Sequence, residues 1–192
     1  MKQELSDEER VRQISSHYKE ILHLIGEDPE REGLVRTPER AAKALMAMTS
    51  GYTSNPKEVA HKAIFKHEGS KIVVVKNIEF YSICEHHILP FFGHISIGYI
   101  PKGKIIGLSK LPRIVDCFAK RLQVQENLTA QVCDFISREI PNDGVIVYCE
   151  AGHLCMKMRG VEKQDSMTAT YESSGKFAED ASMREEFFKM LK

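Results

Sequence analysis

The sequence predicts an α+β protein built around a mainly antiparallel sheet. Two observations carry this. The apolar pattern changes period along the chain, from helical spacing to two-residue alternation and back. The helices come in pairs between runs of strands, rather than alternating with them one by one as a parallel sheet requires. The length, 192 residues, fits one domain with a helical appendage. The expected division is a helical N-terminal region over residues 1–62 and a main domain, built on the sheet, over 63–192.

The first helix opens at Ser6-Asp7-Glu8-Glu9, a capping box in which hydroxyl and carboxylate satisfy free backbone donors reciprocally. Val11, Ile14, Tyr18, Ile21, Leu22 and Ile25 follow at helical spacing, and Gly26 is the stop. Thr37-Pro38 repeats the start signal, with Thr as N-cap, Pro at the first helical position and Gly51 as the end. Ile72–Val75 is a short β-branched run. Ile95, Ile97 and Tyr99 alternate with small or polar residues as in a half-buried strand. Pro101-Lys102-Gly103-Lys104 is a turn, with Ile105-Ile106 in the returning strand. Ser109 opens a helix carrying Leu111, Ile114, Val115, Phe118 and Leu122, and Asn127 caps another. After the turn Pro141–Gly144, residues 145–150, 155–159 and 167–171 read as strands, and 178–191 as a closing helix.

Composition excludes several classes. Lys plus Arg is 27 and Asp plus Glu is 27, so there is no excess positive charge for a nucleic-acid backbone or an acidic membrane. No apolar run approaches the ~20 residues of a membrane helix. Met1-Lys2-Gln3-Glu4 leads into acidic residues, so no leader is expected. Five cysteines, an odd number, argue against a disulfide framework and for a reducing, cytoplasmic setting.

Three constellations carry chemistry. The first is Cys84-Glu85-His86-His87-Ile88-Leu89-Pro90 with Gly152-His153-Leu154-Cys155. Thiolate and imidazole suit zinc, and Cys84, His87 and Cys155 leave the fourth position open, as catalytic zinc does. On a strand, His153 and Cys155 would share a face. The competing reading is buried core cysteines and a satisfied histidine. Cys117, Cys133 and Cys149 read as core, His17, His23, His61 and His67 as exposed, and His94 as either site or surface. The second constellation is Ser109, Lys110 and Arg113 at a helix start, joined by Arg159. Cations there oppose the helix dipole unless an anion is bound; the alternative is a solvated basic end. No P-loop or dinucleotide fingerprint is present. The third is Gln123-Val124-Gln125-Glu126-Asn127. A carboxylate there can accept the N1–H and 2-amino donors of guanine, or the stretch simply caps a helix.

Together these stretches resemble GTP cyclohydrolase I. The likeness runs through Tyr81–Phe91, Gly107–Lys110, Arg113–Arg121, Gln123–Glu126, Gly152–Met156 and Met158–Val161 to Ser166, Thr168 and Thr170. It implies a tunnelling fold, whose sheets join into an oligomeric barrel, with an N-terminal helical extension. It implies a homodecamer of two pentamers with active sites at subunit boundaries. It also implies conversion of GTP and water to 7,8-dihydroneopterin triphosphate and formate. The implied zinc ligands are Cys84, His87 and Cys155, and the proton-transfer residues are His86 and His153. Gln125 and Glu126 would anchor guanine, Ser109 the ribose side, and Lys110, Arg113 and Arg159 the triphosphate.

Departures from the family are Ile88, where Leu is expected, Glu162, where the family is often basic, and the nearby acid Asp165. Related tunnelling-fold enzymes use an all-histidine zinc site (6-pyruvoyltetrahydropterin synthase) or a nucleophilic Cys without zinc (nitrile reductases). The Cys–His–Cys set speaks against both. A structural zinc would need a fourth ligand, with Cys149 the nearby candidate. A silent relative would lack one of these site residues.

Overall fold

A computed structural model describes residues 5–192, so the first four residues, on which the absence of a leader was read, lie outside it. Two compact units divide between Thr49 and Ser50. In the first, α1 (Asp7–Leu24) packs against α2 (Thr37–Met48). The capping box forms: Ser6 Oγ accepts from Glu9 N at 3.3 Å, and the Glu9 carboxylate accepts from Ser6 N at 2.9 Å. Thr37 is not the N-cap of α2. Arg36 takes that place, and the Thr37 hydroxyl turns back toward Gly33 O instead.

The second unit starts earlier than the division expected after residue 62. Its first helix, α3 (Pro56–His61), has Ala60 fully buried in the core of this unit, so it belongs there. The sequence reading missed α3, although Asn55-Pro56 is a start signal: the Asn55 side chain accepts from Lys57 N at 3.1 Å. Gly51 does not end α2. It sits where a Cβ would lie 2.6 Å from Cys117 O and 2.7 Å from Lys120 O, a close approach only glycine allows.

Strands β1 (Ile64–Lys66) and β4 (Lys104–Ile106) form a small antiparallel ribbon. The main sheet holds β2 (Val73–Cys84), β3 (Pro90–Pro101), β5 (Leu122–Gln123), β6 (Asn142–His153) and β7 (Thr168–Gly175), in the order β5-β2-β3-β6-β7. Every pairing is antiparallel except β5 with β2. Helices α4 (Lys110–Ala119) and α5 (Gln125–Glu139) bury Leu111, Ile114, Val115, Leu128, Val132 and Ile136 against one sheet face. On β6, Val145, Val147 and Cys149 join that core, while Ile146 and Tyr148 point to the other face. There Phe187 of α8 (Ala181–Leu191) packs with Ile100, Ile146 and Phe177.

Several elements differ from the sequence reading. Of Ile72–Val75, Val73–Val75 is only the start of β2, whose alternation is broken by a bulge between Val75 and Ile78, with Asn77 at φ 58°. Residues 142–144 of the expected turn belong to β6. Asn127 lies inside α5, which begins at Gln125 after an extended Val124. Ser109 precedes α4 without a side-chain cap bond. Residues 155–159 are not a strand; β6 ends at His153 and the chain makes one helical turn, α6 (Leu154–Lys157). The closing helix is broken at Asp180 into α7 (Lys176–Glu179) and α8, because the Asp180 carboxylate caps Ser182 N at 2.8 Å.

Candidate metal centre and active-site cavity

Four segments converge at one end of the sheet. Cys84 is the last residue of β2, and His86 and His87 form the tip of the β2–β3 hairpin. The tip is closed by Ile88 N donating to Cys84 O and Cys84 N donating to Leu89 O, both at 2.9 Å. β6 ends opposite β3, with His153 paired to Phe91, so the turn after it carries Cys155 back to the hairpin. β5 pairs its Gln123 with Cys84 and leads directly into Gln125 and Glu126.

The ligand atoms of Cys84, His87 and Cys155 lie within 4.8 Å of one another. Cys84 is buried, Cys155 half-buried and His87 exposed. Burial, and then the Cys84 thiol beside it, pushes the Cys155 thiol up, with Arg159 pulling slightly the other way. Two adjacent thiols lose both protons readily only when a cation offsets their repulsion, so the donor chemistry fits a metal ion. Cys149 is not a fourth donor. It lies in the core, where burial pushes its thiol up to about 12, and Cys133 is similarly pushed to about 11. With Cys117 also buried, the core reading of these three holds, and all five cysteines are free.

A cavity of about 300 Å³ opens beside the group, lined by Cys84, His86, His87, Gln123 to Glu126, His153, Cys155, Met156 and Thr168. His153 lies flat on Phe91, a contact the sequence gave no local sign of. Its Nε2 is 2.8 Å from Gln125 Oε1. Burial holds its pKa below the usual histidine value, partly offset by the Glu126 carboxylate, with Lys157 reinforcing the shift. His86 and Glu126 are exposed. Ser109, Lys110 and Arg113 do not line this cavity; they begin α4, whose other end leads to β5. Arg159 is outside the lining too, although its charge reaches Cys155. His94 lines a separate cavity on the other sheet face, facing Glu150 in register. His17, His23, His61 and His67 are exposed, as are Glu162 and Asp165.

The chain is thus an α+β protein whose donor set, three ligands with a cavity alongside, suits a catalytic metal ion. It belongs to the GTP cyclohydrolase I family, whose model matches residues 14–192. It is 50% identical over 188 residues to GTP cyclohydrolase 1 of Porphyromonas gingivalis, covering 98% of this chain and 97% of that one. The enzyme of the same name from Parabacteroides distasonis is 53% identical over 93% of this chain and 91% of its own. That of Chlorobaculum tepidum is 50% identical over 96% and 83%. Among solved structures, the apo archaeosine synthase QueF-Like aligns with 54% of this chain and 93% of its own at 18% identity and a TM-score of 0.44, too weak to bear on fold or function. The chain is therefore an enzyme of a family that converts GTP to 7,8-dihydroneopterin triphosphate. Among the described residues no helix is long and apolar enough to cross a membrane.

Proposed function

We propose that GTP and water become 7,8-dihydroneopterin triphosphate and formate in this cavity, with zinc held by Cys84, His87 and Cys155. The supporting observation is one end of a sheet that gathers these donors with His86, His153 and Glu126. When bound, zinc supplies a Lewis acid that makes hydroxide available at neutral pH. The protein's own residues do the rest. Glu126 accepts hydrogen bonds from the guanine N1–H and 2-amino group, which sets C8 toward the metal. His86, exposed at the hairpin tip, donates a proton at N7 and so makes C8 more electrophilic. His153, whose pKa burial lowers, accepts protons as the imidazole ring opens and the sugar rearranges. Ser109, Lys110, Arg113 and Arg159 hold the ribose and triphosphate, whose binding energy anchors a reaction that leaves the phosphates untouched.

Ser109, Lys110 and Arg113 come from a second copy of the chain, whereas Arg159, whose charge reaches Cys155, comes from this one. Lys110 starts a ten-residue helix, about 15 Å long, whose far end leads to the cavity. Among the described residues β7 has a partner on one edge only, and β2 is unpaired on its outer edge before Ile83, so sheets of neighbouring copies can join. This supports the tunnelling barrel and the homodecamer of two pentamers. A reducing cytoplasm suits a site with two thiolates.

Formate release from GTP by metal-replete protein is the test. Turnover is expected with zinc bound and lost in Cys155→Ala together with the metal. Full turnover by zinc-free protein would falsify the metal assignment.

A further inference from the structure

Gln125 is 1% exposed, and its side chain is fully engaged inside the protein. Its Nε2 lies 2.9 Å from Thr168 O, 3.2 Å from Cys149 O and 3.2 Å from Thr170 Oγ1. Backbone carbonyls only accept, so the amide NH₂ must face them; turned over, it would set oxygen against oxygen. The neighbouring hydroxyls agree. Thr129 Oγ1 donates to the backbone carbonyl of Gln125 at 2.8 Å, which uses its only proton. Across the 2.7 Å contact between Thr129 and Thr170, Thr170 is therefore the donor, and its remaining lone pairs face Gln125. The two amide protons serve three acceptors on one side, so the amide has one orientation in this buried network.

The consequence falls on His153. Gln125 Oε1 is 2.8 Å from His153 Nε2, and an amide oxygen only accepts. Nε2 must carry hydrogen, which leaves Nδ1 bare in the neutral ring. The Phe91 stack, with planes 3° apart, holds the ring's orientation. We infer that Gln125 is a positioning residue that fixes His153 as the Nε2–H tautomer, so that His153 accepts substrate protons at Nδ1. This rests on the proton-transfer role proposed for His153, and it moves Gln125 from guanine contact to support of the base. A guanine contact from this side chain would cost it bonds it already makes.

The test is ¹⁵N NMR of histidine-labelled protein with the ring neutral, the His153 signals being those lost in His153→Asn. The wild type is expected to show Nε2 protonated and Nδ1 bare. Gln125→Met, of similar shape without polar atoms, should mix the tautomers and lower kcat about 10- to 100-fold with KM for GTP little changed. Gln125→Glu, with its carboxyl protonated on the oxygen that faces Thr168 O and Cys149 O, keeps an acceptor opposite Nε2 and should retain the tautomer and more of kcat than Gln125→Met. A wild-type ring protonated on Nδ1 overturns the inference, and this reading needs only the assignment variant His153→Asn to fold. So does an unchanged tautomer in folded Gln125→Met, or a loss confined to KM. Absence of formate release from the wild type would instead sink the GTP reading, while the NMR result would still decide the Gln125–His153 relationship.

Discussion

The ring of His153 lies flat against that of Phe91, with centroids 4.6 Å apart and planes 3° from parallel. Sheet register makes the contact, since the two residues face each other across β3 and β6. Phe91 is fully buried and meets Phe80 edge-on at 5.8 Å on its way into the core. The core thereby reaches His153 through one aromatic ring. Phe91→Leu should cost about 1–3 kcal/mol of stability, less than full truncation. It should also lower kcat while metal content stays at wild-type level. Thermal melts, metal analysis and steady-state kinetics check this; an unchanged kcat would mean that the stack does nothing for the ring.

Two cysteines near the site separate its metal role from packing. Cys155→Ala removes a donor and should abolish metal retention with little loss of core, because Cys155 is only half-buried. Cys149→Ala should keep the metal and lose about 1–2 kcal/mol, since it deletes a fully buried sulfur. Metal loss in Cys149→Ala at unchanged fold would reverse the division between donors and core.

The site was legible in the sequence where its residues are local. Cys84 and His87 stand three apart at the tip of one hairpin, so spacing alone brings them together. Cys155 lies with Cys84 and His87, but on a helical turn and not on the strand the sequence reading expects. Leu154-Cys155-Met156-Lys157-Met158 has no decisive period, and it forms a helical turn instead of a strand. The second half of β2 was hidden because the bulge at Asn77 shifts the alternation. The bonds of Gln125 were not readable at all. They come from Cys149, Thr168 and Thr170, which lie 24 to 45 residues away and meet it only through the packing of α5 on β6 and β7.

Glu126 is exposed at the start of α5 and faces the cavity, free to take a ligand's donors. Two hydrogen bonds to a carboxylate are worth roughly 1.5–3 kcal/mol each. Glu126→Ala should lower kcat/KM for GTP by about 100-fold, taking one to two such bonds as lost. ITP lacks the 2-amino group and already forgoes one of them, so its loss should be much smaller. Equal losses for the two nucleotides would remove Glu126 from guanine recognition.

Glu139 ties α3 to α5, accepting from Lys57 at 2.9 Å and lying 3.0 Å from His61. The Lys57 hydrogen bond, more than any other influence, holds its pKa below the ordinary 4.5. A carboxylate with a lowered folded pKa stabilises above its unfolded value, and that contribution fades as pH falls through the folded one. The wild type should therefore lose stability relative to Glu139→Gln as pH drops from about 5 through the region below 4.5. Denaturant melts of both proteins across that range check it; parallel pH curves would show that the pair is fully screened.

The hairpin that carries His87 is held in a conformation its sequence resists. Ile88 has φ 54°, the left-handed region, where a β-branched side chain is crowded by its own backbone. Its N–H closes the tip onto Cys84 O, so the conformation follows from the loop that presents the ligands. The side chain is 60% exposed, so little packing in the chain offsets that crowding. The left-handed conformation costs an L-residue roughly 1–2 kcal/mol, and Asn adopts it most readily after Gly. Ile88→Asn should therefore raise stability by about 1 kcal/mol, with metal affinity equal to or above that of the wild type. Ile88→Leu, which removes only the β-branch, should fall between the two. Melting curves of the three proteins settle the order. If Asn lowers Tm, the isoleucine side chain is doing more than tolerating its backbone, and the contact it makes would have to come from another copy of the chain.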